Sequence, residues 1–230
     1  MTNLSNYRYE RKFIISNTDE KEIEHYIKLH PKIFSEIYHE RYVNNIYFDS
    51  LQLQNYFDNI NGVFDRIKAR IRWYGNLFGD INNPVIELKI KKGSLGRKFQ
   101  RHLKPFMLNN QLCRKEIADI FRKSNIPNGI YSKLLSLKPT LLNRYKRKYY
   151  LSSDKNYRLT TDSAQEFYRI EYGRNSFLNR NIFNRDIILE LKYDKDFDNE
   201  ASGITNHFLF RLTKNSKYIN GIELINQIHS

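Results

Sequence analysis

The chain has 230 residues and carries 39 Lys plus Arg against 25 Asp plus Glu, a formal net charge of +14. With 40% hydrophobic and 28% charged residues and only 5 Pro and 9 Gly, the composition is that of a folded domain rather than a disordered chain. One domain over 1–230 is the simplest division. The charge implies an anionic partner: nucleic acid, an acidic membrane surface or a phosphate-rich small molecule. No run approaches the roughly 18 apolar residues of a membrane span, and the start, MTNLSNYRYERKF, lacks the apolar core of a secretory signal. The single cysteine, Cys113, excludes an internal disulfide framework and fits a reducing compartment. A cytoplasmic protein without a transmembrane segment is expected. Attachment through a separate membrane partner would leave no trace in the sequence, and neither would the oligomeric state.

YRYERKFII at 7–15 alternates as a strand, and SNTDEKEIEHYIKLH at 16–30 reads as a helix capped at Thr18 with acids in its first turn. YVNNIYFD at 42–49 is a second strand, followed by a short polar stretch. VFDRIKARIRWYG at 63–75 is the clearest strand in the chain. VIELKIKK at 85–92, a GSLG turn and RKFQRHLKPF predict a hairpin. Between 110 and 138, QLCRKEIADIFRK and NGIYSKLLSLK carry apolar residues at helical spacing. Residues 141–162 return to strands as a hairpin around SSDKN, and the close comprises QEFYRIEYG, DIILELKYD, a helix over 201–212 and KYINGIELINQ. The sum is eight or nine strands with intervening helices.

Alternate residues of a strand face opposite sides. Arg66, Lys68, Arg70 and Arg72 therefore share one face, with Ile67, Ala69, Ile71 and Trp73 on the other, and Trp73 is expected to pack. Four cations on one face repel one another unless water or an anion screens them. The pattern recurs: Arg8, Glu10 and Lys12; Glu87, Lys89 and Lys91; Arg158, Thr160 and Asp162; Glu190, Lys192 and Asp194. In one curved sheet these charged faces point either outward, as a basic surface, or inward, lining a barrel wide enough for a ligand. Many cations with a few carboxylates suit a polyanion with Mg²⁺ or Mn²⁺, which prefer hard oxygen ligands.

Taken in order, ERKF at 10–13, IYFD at 46–49, KARIRWYG at 68–75, IELK at 86–89, YKR at 145–147, RLTTD at 158–162, LELKY at 189–193 and SKY at 216–218 resemble the VTC domain. This is the polyphosphate polymerase domain of the triphosphate tunnel metalloenzyme (CYTH-like) superfamily. The resemblance covers nearly the whole chain. It implies an α+β, mainly antiparallel fold: an eight-stranded antiparallel triphosphate-tunnel barrel with flanking helices. It further implies Lys12, Arg70, Arg72, Lys89 and Glu190 as catalytic groups. Lys12, Arg66, Lys68, Arg70, Arg72, Lys89, Lys98, Arg147, Arg158, Lys192 and Lys217 become phosphate-binding cations, with Arg97 an equally near candidate beside Lys98. Glu190 matches the metal-ligand glutamate, while Glu10 and Glu87 are either further ligands or charge balance. The first strand opens RYERK, with Arg8 where the wider superfamily often has a glutamate, which follows the polymerase branch.

The expected chemistry is phosphoryl transfer without a nucleophilic side chain, cations and a divalent metal stabilising charge on the transferred group. The expected partners are ATP or another triphosphate and polyphosphate. If water attacks in place of a polyphosphate end, the same site is a triphosphatase or exopolyphosphatase; a non-catalytic polyphosphate or nucleotide binder is a third reading. A general nucleic-acid binder would present outward cations with stacking aromatics. Here the cations share strands with isolated carboxylates, so no nucleic-acid partner is expected.

Overall fold

Period-two alternation becomes strand in the computed structural model, which describes residues 8–92, 95–171, 175, 177, 180–182 and 186–227. The elements run β1 (Arg8–Ile15), α1 (Glu20–Lys28), β2 (Ser35–Asp49), α2 (Gln54–Ile60), β3 (Arg66–Tyr74), β4 (Gly79–Ile81), β5 (Val85–Lys92), β6 (Leu95–His102) and β7 (Phe106–Leu108). They continue with α3 (Arg114–Lys123), α4 (Asn128–Leu135), β8 (Lys138–Leu151), β9 (Tyr157–Arg169), β10 (Arg180–Ile182), β11 (Ile187–Asp194), a 3₁₀ turn, α5 (Asp198–Asn206) and α6 (Lys217–Gln227). The residues expected to begin the first strand at Tyr7, to turn at 93–94 and to end the QEFYRIEYG stretch lie outside those described.

The main sheet is antiparallel, in the order β1-β11-β9-β8-β2-β3-β5-β6, with β10 added on β9. It is not closed, and this corrects the expected barrel. Among the described residues nothing pairs β6 with β1. The free edge of β1 is instead met by residues 212–213, through a bridge between Phe13 and Leu212 and a bond from the Thr213 N–H to the Lys12 carbonyl at 2.8 Å. Alternation in sequence fixes which face a residue takes. It says nothing about what covers an edge, and edge covering decides closure.

The residues cluster into two units. The first comprises Met1–Arg41, Lys146–Gln165 and Asn184–Asn215; the second comprises Tyr42–Tyr145, Glu166–Phe183 and Ser216–Ser230. In the first, Phe13, Ile23, Ile27, Tyr157, Leu189, Leu191 and Phe208 build the core. Asp19, rather than Thr18, caps α1 by accepting from the Lys21 N–H, and Ile23 and Ile27, one helical turn apart, face inward. In the second unit Ile71, Trp73, Ile86, Leu88 and Phe121 lie in one core cluster, and Leu141, Phe167, Tyr218, Ile222 and Ile225 form another. Helix α6 packs so closely that a Cβ on Gly221 would overlap Leu141 and Phe167. Cys113 caps α3, its N–H bonded to the Glu116 carboxylate at 3.0 Å.

Helix α2 falls in the stretch expected to be polar loop. It has no buried residue, and it forms because Asp49 collects the amides at its start: Ser50 N–H at 2.7 Å, Asn55 N–H at 2.8 Å and Tyr56 N–H at 3.0 Å. The last C-terminal helix before α6 lies over 198–206 rather than 201–212.

Candidate functional site

Each unit carries a charged sheet face of its own. In the second unit the alternation of β3 is realised as read: Ala69, Ile71 and Trp73 are buried while Arg66, Lys68, Arg70 and Arg72 are only half-covered. Register brings Arg70 opposite Glu87, Lys68 opposite Lys89, and Lys89 opposite Lys98. Arg70 grips Glu87 through Nε at 2.7 Å and Nη2 at 2.6 Å, both to Oε2. Arg72 Nη1 and Lys98 Nζ approach the other oxygen, Oε1, at 3.7 and 3.8 Å. Burial alone would raise the Glu87 carboxyl, but the positive charges of Arg70 and Arg72 outweigh it and hold it down at about 2. Arg72 also donates from Nε to Asn45 Oδ1 at 3.2 Å, and Asn45 is in turn bonded to Asn143. Lys217, at the start of α6, lies with Nζ 4.6 Å from the centre of the Tyr145 ring. The side chains of Lys91 and Arg97 lie outside those described.

In the first unit the register makes two rows across three strands: Lys12, Glu190 and Thr160, then Glu10, Lys192 and Arg158. Glu190, 5% exposed, has Lys192 Nζ at 3.0 Å and Lys12 Nζ at 4.0 Å. Both lysines also approach Glu10, at 3.5 Å from Lys12 and 3.9 Å from Lys192, so acids and bases alternate. Arg147 holds the fully buried Asp162 by two bonds, Nε to Oδ1 at 2.5 Å and Nη2 to Oδ2 at 2.6 Å, and its Nη2 stands 4.0 Å from Glu190.

Asp162 is a member of this cluster that the expected site set lacks. The signal was present in the predicted hairpin around 152–156. That hairpin closes with the Ser152 N–H on the Tyr157 carbonyl, and five residues further out on each strand are Arg147 and Asp162. The expected cations and acids therefore fall into two groups. Glu10, Lys12, Arg147, Arg158, Glu190 and Lys192 lie on one face of the first unit. Arg66, Lys68, Arg70, Arg72, Glu87, Lys89 and Lys98 lie on one face of the second, where Lys217 is placed against Tyr145.

Among the described residues no cluster of three or more His, Cys, Asp or Glu forms a metal cage. Glu190 and Glu10 nevertheless present hard carboxylate oxygens on one face, bridged by Lys192. Mg²⁺ and Mn²⁺ sites commonly use one or two carboxylates and complete the shell with substrate phosphate oxygens and water. Glu190 and Glu10 are the carboxylates on this face that would hold a divalent metal.

Both charged faces thus present several cations around few, tightly held carboxylates. The model of the VTC domain family matches residues 7–226, and the chain belongs to that family. No curated protein matches the chain. Among solved structures, a candidate adenylate cyclase from Vibrio parahaemolyticus aligns over 96% of this chain and 98% of its own, at 8% identity and TM-score 0.51. A candidate adenylyl cyclase from Hippeastrum with a dominant triphosphatase activity aligns over 94% and 96%, at 11% identity and TM-score 0.50. The PH1819 protein from Pyrococcus horikoshii OT3 aligns over 96% and 98%, at 11% identity and TM-score 0.48. At such identities the likeness to the first two concerns the fold. No helix among the described residues is long and apolar enough to cross a membrane.

Proposed function

We propose that the chain is a metal-dependent phosphotransferase of polyphosphate polymerase type, moving the γ-phosphoryl of ATP to the end of a polyphosphate chain. The observation that carries this reading is the convergence of Arg70, Arg72 and Lys98 on the carboxylate of Glu87, with Lys68 and Lys89 next in register. Three cations on one acid leave a surplus of positive charge, and a planar guanidinium fork suits phosphate oxygens as well as carboxylate. Lys12, Lys192, Arg147 and Arg158 offer the same chemistry on the first unit's face. Glu190 and Glu10 would hold a divalent metal, which would supply further charge stabilisation on phosphoryl oxygens.

In this reading a terminal polyphosphate oxygen attacks the γ-phosphorus in line. The bond from that phosphorus to the β–γ bridging oxygen breaks, its electron pair leaves with ADP, and the chain gains one unit. The side chains bind, orient and neutralise charge, and none forms a covalent bond. The test is purified protein with γ-labelled ATP and Mn²⁺, the products being resolved by gel and chromatography. Labelled long-chain polyphosphate with ADP is the expected result. Labelled orthophosphate with ADP overturns it in favour of a triphosphatase, and triphosphate binding without turnover overturns it in favour of a binding module.

A further inference from the structure

The charged face of the first unit continues, along β8, into a ladder of arginine and tyrosine. Arg147, which holds Asp162 and stands 4.0 Å from Glu190, has its guanidinium carbon 5.8 Å from the centre of the Tyr149 ring. Arg41, from β2, lies 4.8 Å from the centre of the same ring and 5.1 Å from that of Tyr38. Tyr38 and Tyr149 meet edge to face, with centroids 5.6 Å apart and ring planes at 88°. Four groups from two strands thus form one contact series, which begins at the acid–base cluster and ends at Tyr38.

Tyr38 is 56% exposed although it is held by Arg41 and Tyr149. An exposed ring fixed in orientation by a cation and an edge-on neighbour is preordered for a further planar partner, because its rotamer freedom has already been given up. The partner must be flat and π-rich, and it must carry negative charge toward Arg147 and Lys192 rather than toward Tyr38. A nucleoside triphosphate has this distribution. From Arg147 to Tyr149 the strand advances about 7 Å, so a triphosphate on Lys12, Lys192 and Arg147 with its α-phosphate at Arg147 has its nucleoside within reach of the ladder.

We propose that Tyr38, backed by Arg41 and Tyr149, is a stacking platform for the nucleobase of the triphosphate substrate. The proposal rests on the phosphotransferase reading above. Stacking on a tyrosine face is tolerant of base identity, so the platform distinguishes nucleotides from inorganic tri- and polyphosphates without choosing between adenine and guanine. It would favour entry of a nucleotide as phosphoryl donor over the polyphosphate product, which has no base.

The test measures equilibrium binding of ATP, GTP and inorganic tripolyphosphate to the full chain by calorimetry, which reads the platform without turnover. Tyr38→Ala is expected to weaken ATP and GTP by about tenfold, the range for one lost base stack, and to leave tripolyphosphate within about twofold. Tyr38→Trp, which restores a ring, should recover ATP affinity. Because Tyr38 is exposed, both variants should fold, and thermal melts check this. Equal weakening of ATP and tripolyphosphate, or an unchanged ATP affinity in Tyr38→Ala, overturns the platform and leaves the phosphotransferase reading standing. Failure of wild-type protein to bind any of the three ligands overturns both.

Discussion

Arg70 and Glu87 are cross-strand partners, and two guanidinium nitrogens of the arginine close on one carboxylate oxygen at 2.7 and 2.6 Å. The carboxylate is nearly buried and the arginine half-covered, so each ion depends on the other for the solvation it has given up. Glu87 offsets the mutual repulsion of Arg70, Arg72 and Lys98.

Glu87→Gln therefore leaves three cations around a neutral amide. It is expected to lower stability by about 2 kcal/mol, below the range for fully buried pairs because Arg70 and Lys98 reach solvent. Tripolyphosphate, which replaces the missing negative charge, should raise the melting temperature of the variant more than that of wild type. Equal ligand-induced shifts would show that Glu87 does not stand where an anion binds. The same pair sets an acid limit. The folded Glu87 carboxyl is held at about 2 against its usual 4.5, so the unfolded chain takes up the proton first. The stabilisation is complete above about 4.5 and drains away as pH falls toward 2. Glu87→Gln should show a flatter melting profile across that window.

Glu190 sits between Lys12, Lys192 and Arg147 and could serve either as metal ligand or as charge balance. The two roles separate in Glu190→Gln. As a ligand, its loss should reduce Mn²⁺-dependent turnover on the order of 100-fold, the share that a few kcal/mol of metal-borne charge stabilisation represents. Metal-free tripolyphosphate binding should stay level or tighten, since a negative charge has gone from a basic face. Turnover within a few-fold of wild type assigns Glu190 to charge balance.

Much of this arrangement was legible in the sequence, and for a physical reason. A strand that buries one face must alternate, so KARIRWY announced which side Arg70 and Arg72 take and that Trp73 packs away from them. The pairing of Arg147 with Asp162 could have been counted from its hairpin. Closure of the sheet could not, because what meets the edge of β1 at Lys12 and Phe13 is a stretch some two hundred residues later, at 212–213. Helix α2 was hidden for the opposite reason: its residues show no buried stripe, and a single acid just upstream, Asp49, gathers its amides. The Arg41–Tyr149 ladder has no periodicity to betray it.

Asp49 is fully buried and also accepts from the Tyr218 hydroxyl at 2.5 Å, which joins the start of α2 to α6. Burial first, and the Asp49 charge second, push the Tyr218 phenol upward, so it remains a donor at any working pH. Asp49→Asn turns one acceptor oxygen into a donor facing N–H or O–H groups. A loss of about 2–3 kcal/mol is expected in chemical denaturation. Tyr218→Phe removes one donor while leaving Asp49 its three amides, and should cost about half as much. The double variant should fall short of the sum, since the two share a bond. Strict additivity would mean the Tyr218–Asp49 contact contributes nothing.

A second acid sensitivity lies in the first unit. His30 is buried, stacks on Phe208 with centroids 5.0 Å apart, and uses both ring nitrogens: Nδ1 accepts from the Lys32 N–H at 3.0 Å, and Nε2 lies 3.1 Å from the Ile204 carbonyl. That arrangement requires a neutral ring with its proton on Nε2. Burial is the main cause that lowers its basicity, with His207 and Lys32 adding to it against the pull of the Ile204 carbonyl. The unfolded chain therefore protonates before the folded one. Stability from this group is whole above the usual 6.5 and falls as pH drops below it toward the lower folded value. His30→Phe keeps the stack but loses both hydrogen bonds, so it should be less stable at pH 7.5. On acidification to pH 5.5 wild type should lose stability faster, narrowing the gap between their melting temperatures. A gap that stays constant across that range would mean that His30 does not titrate with folding.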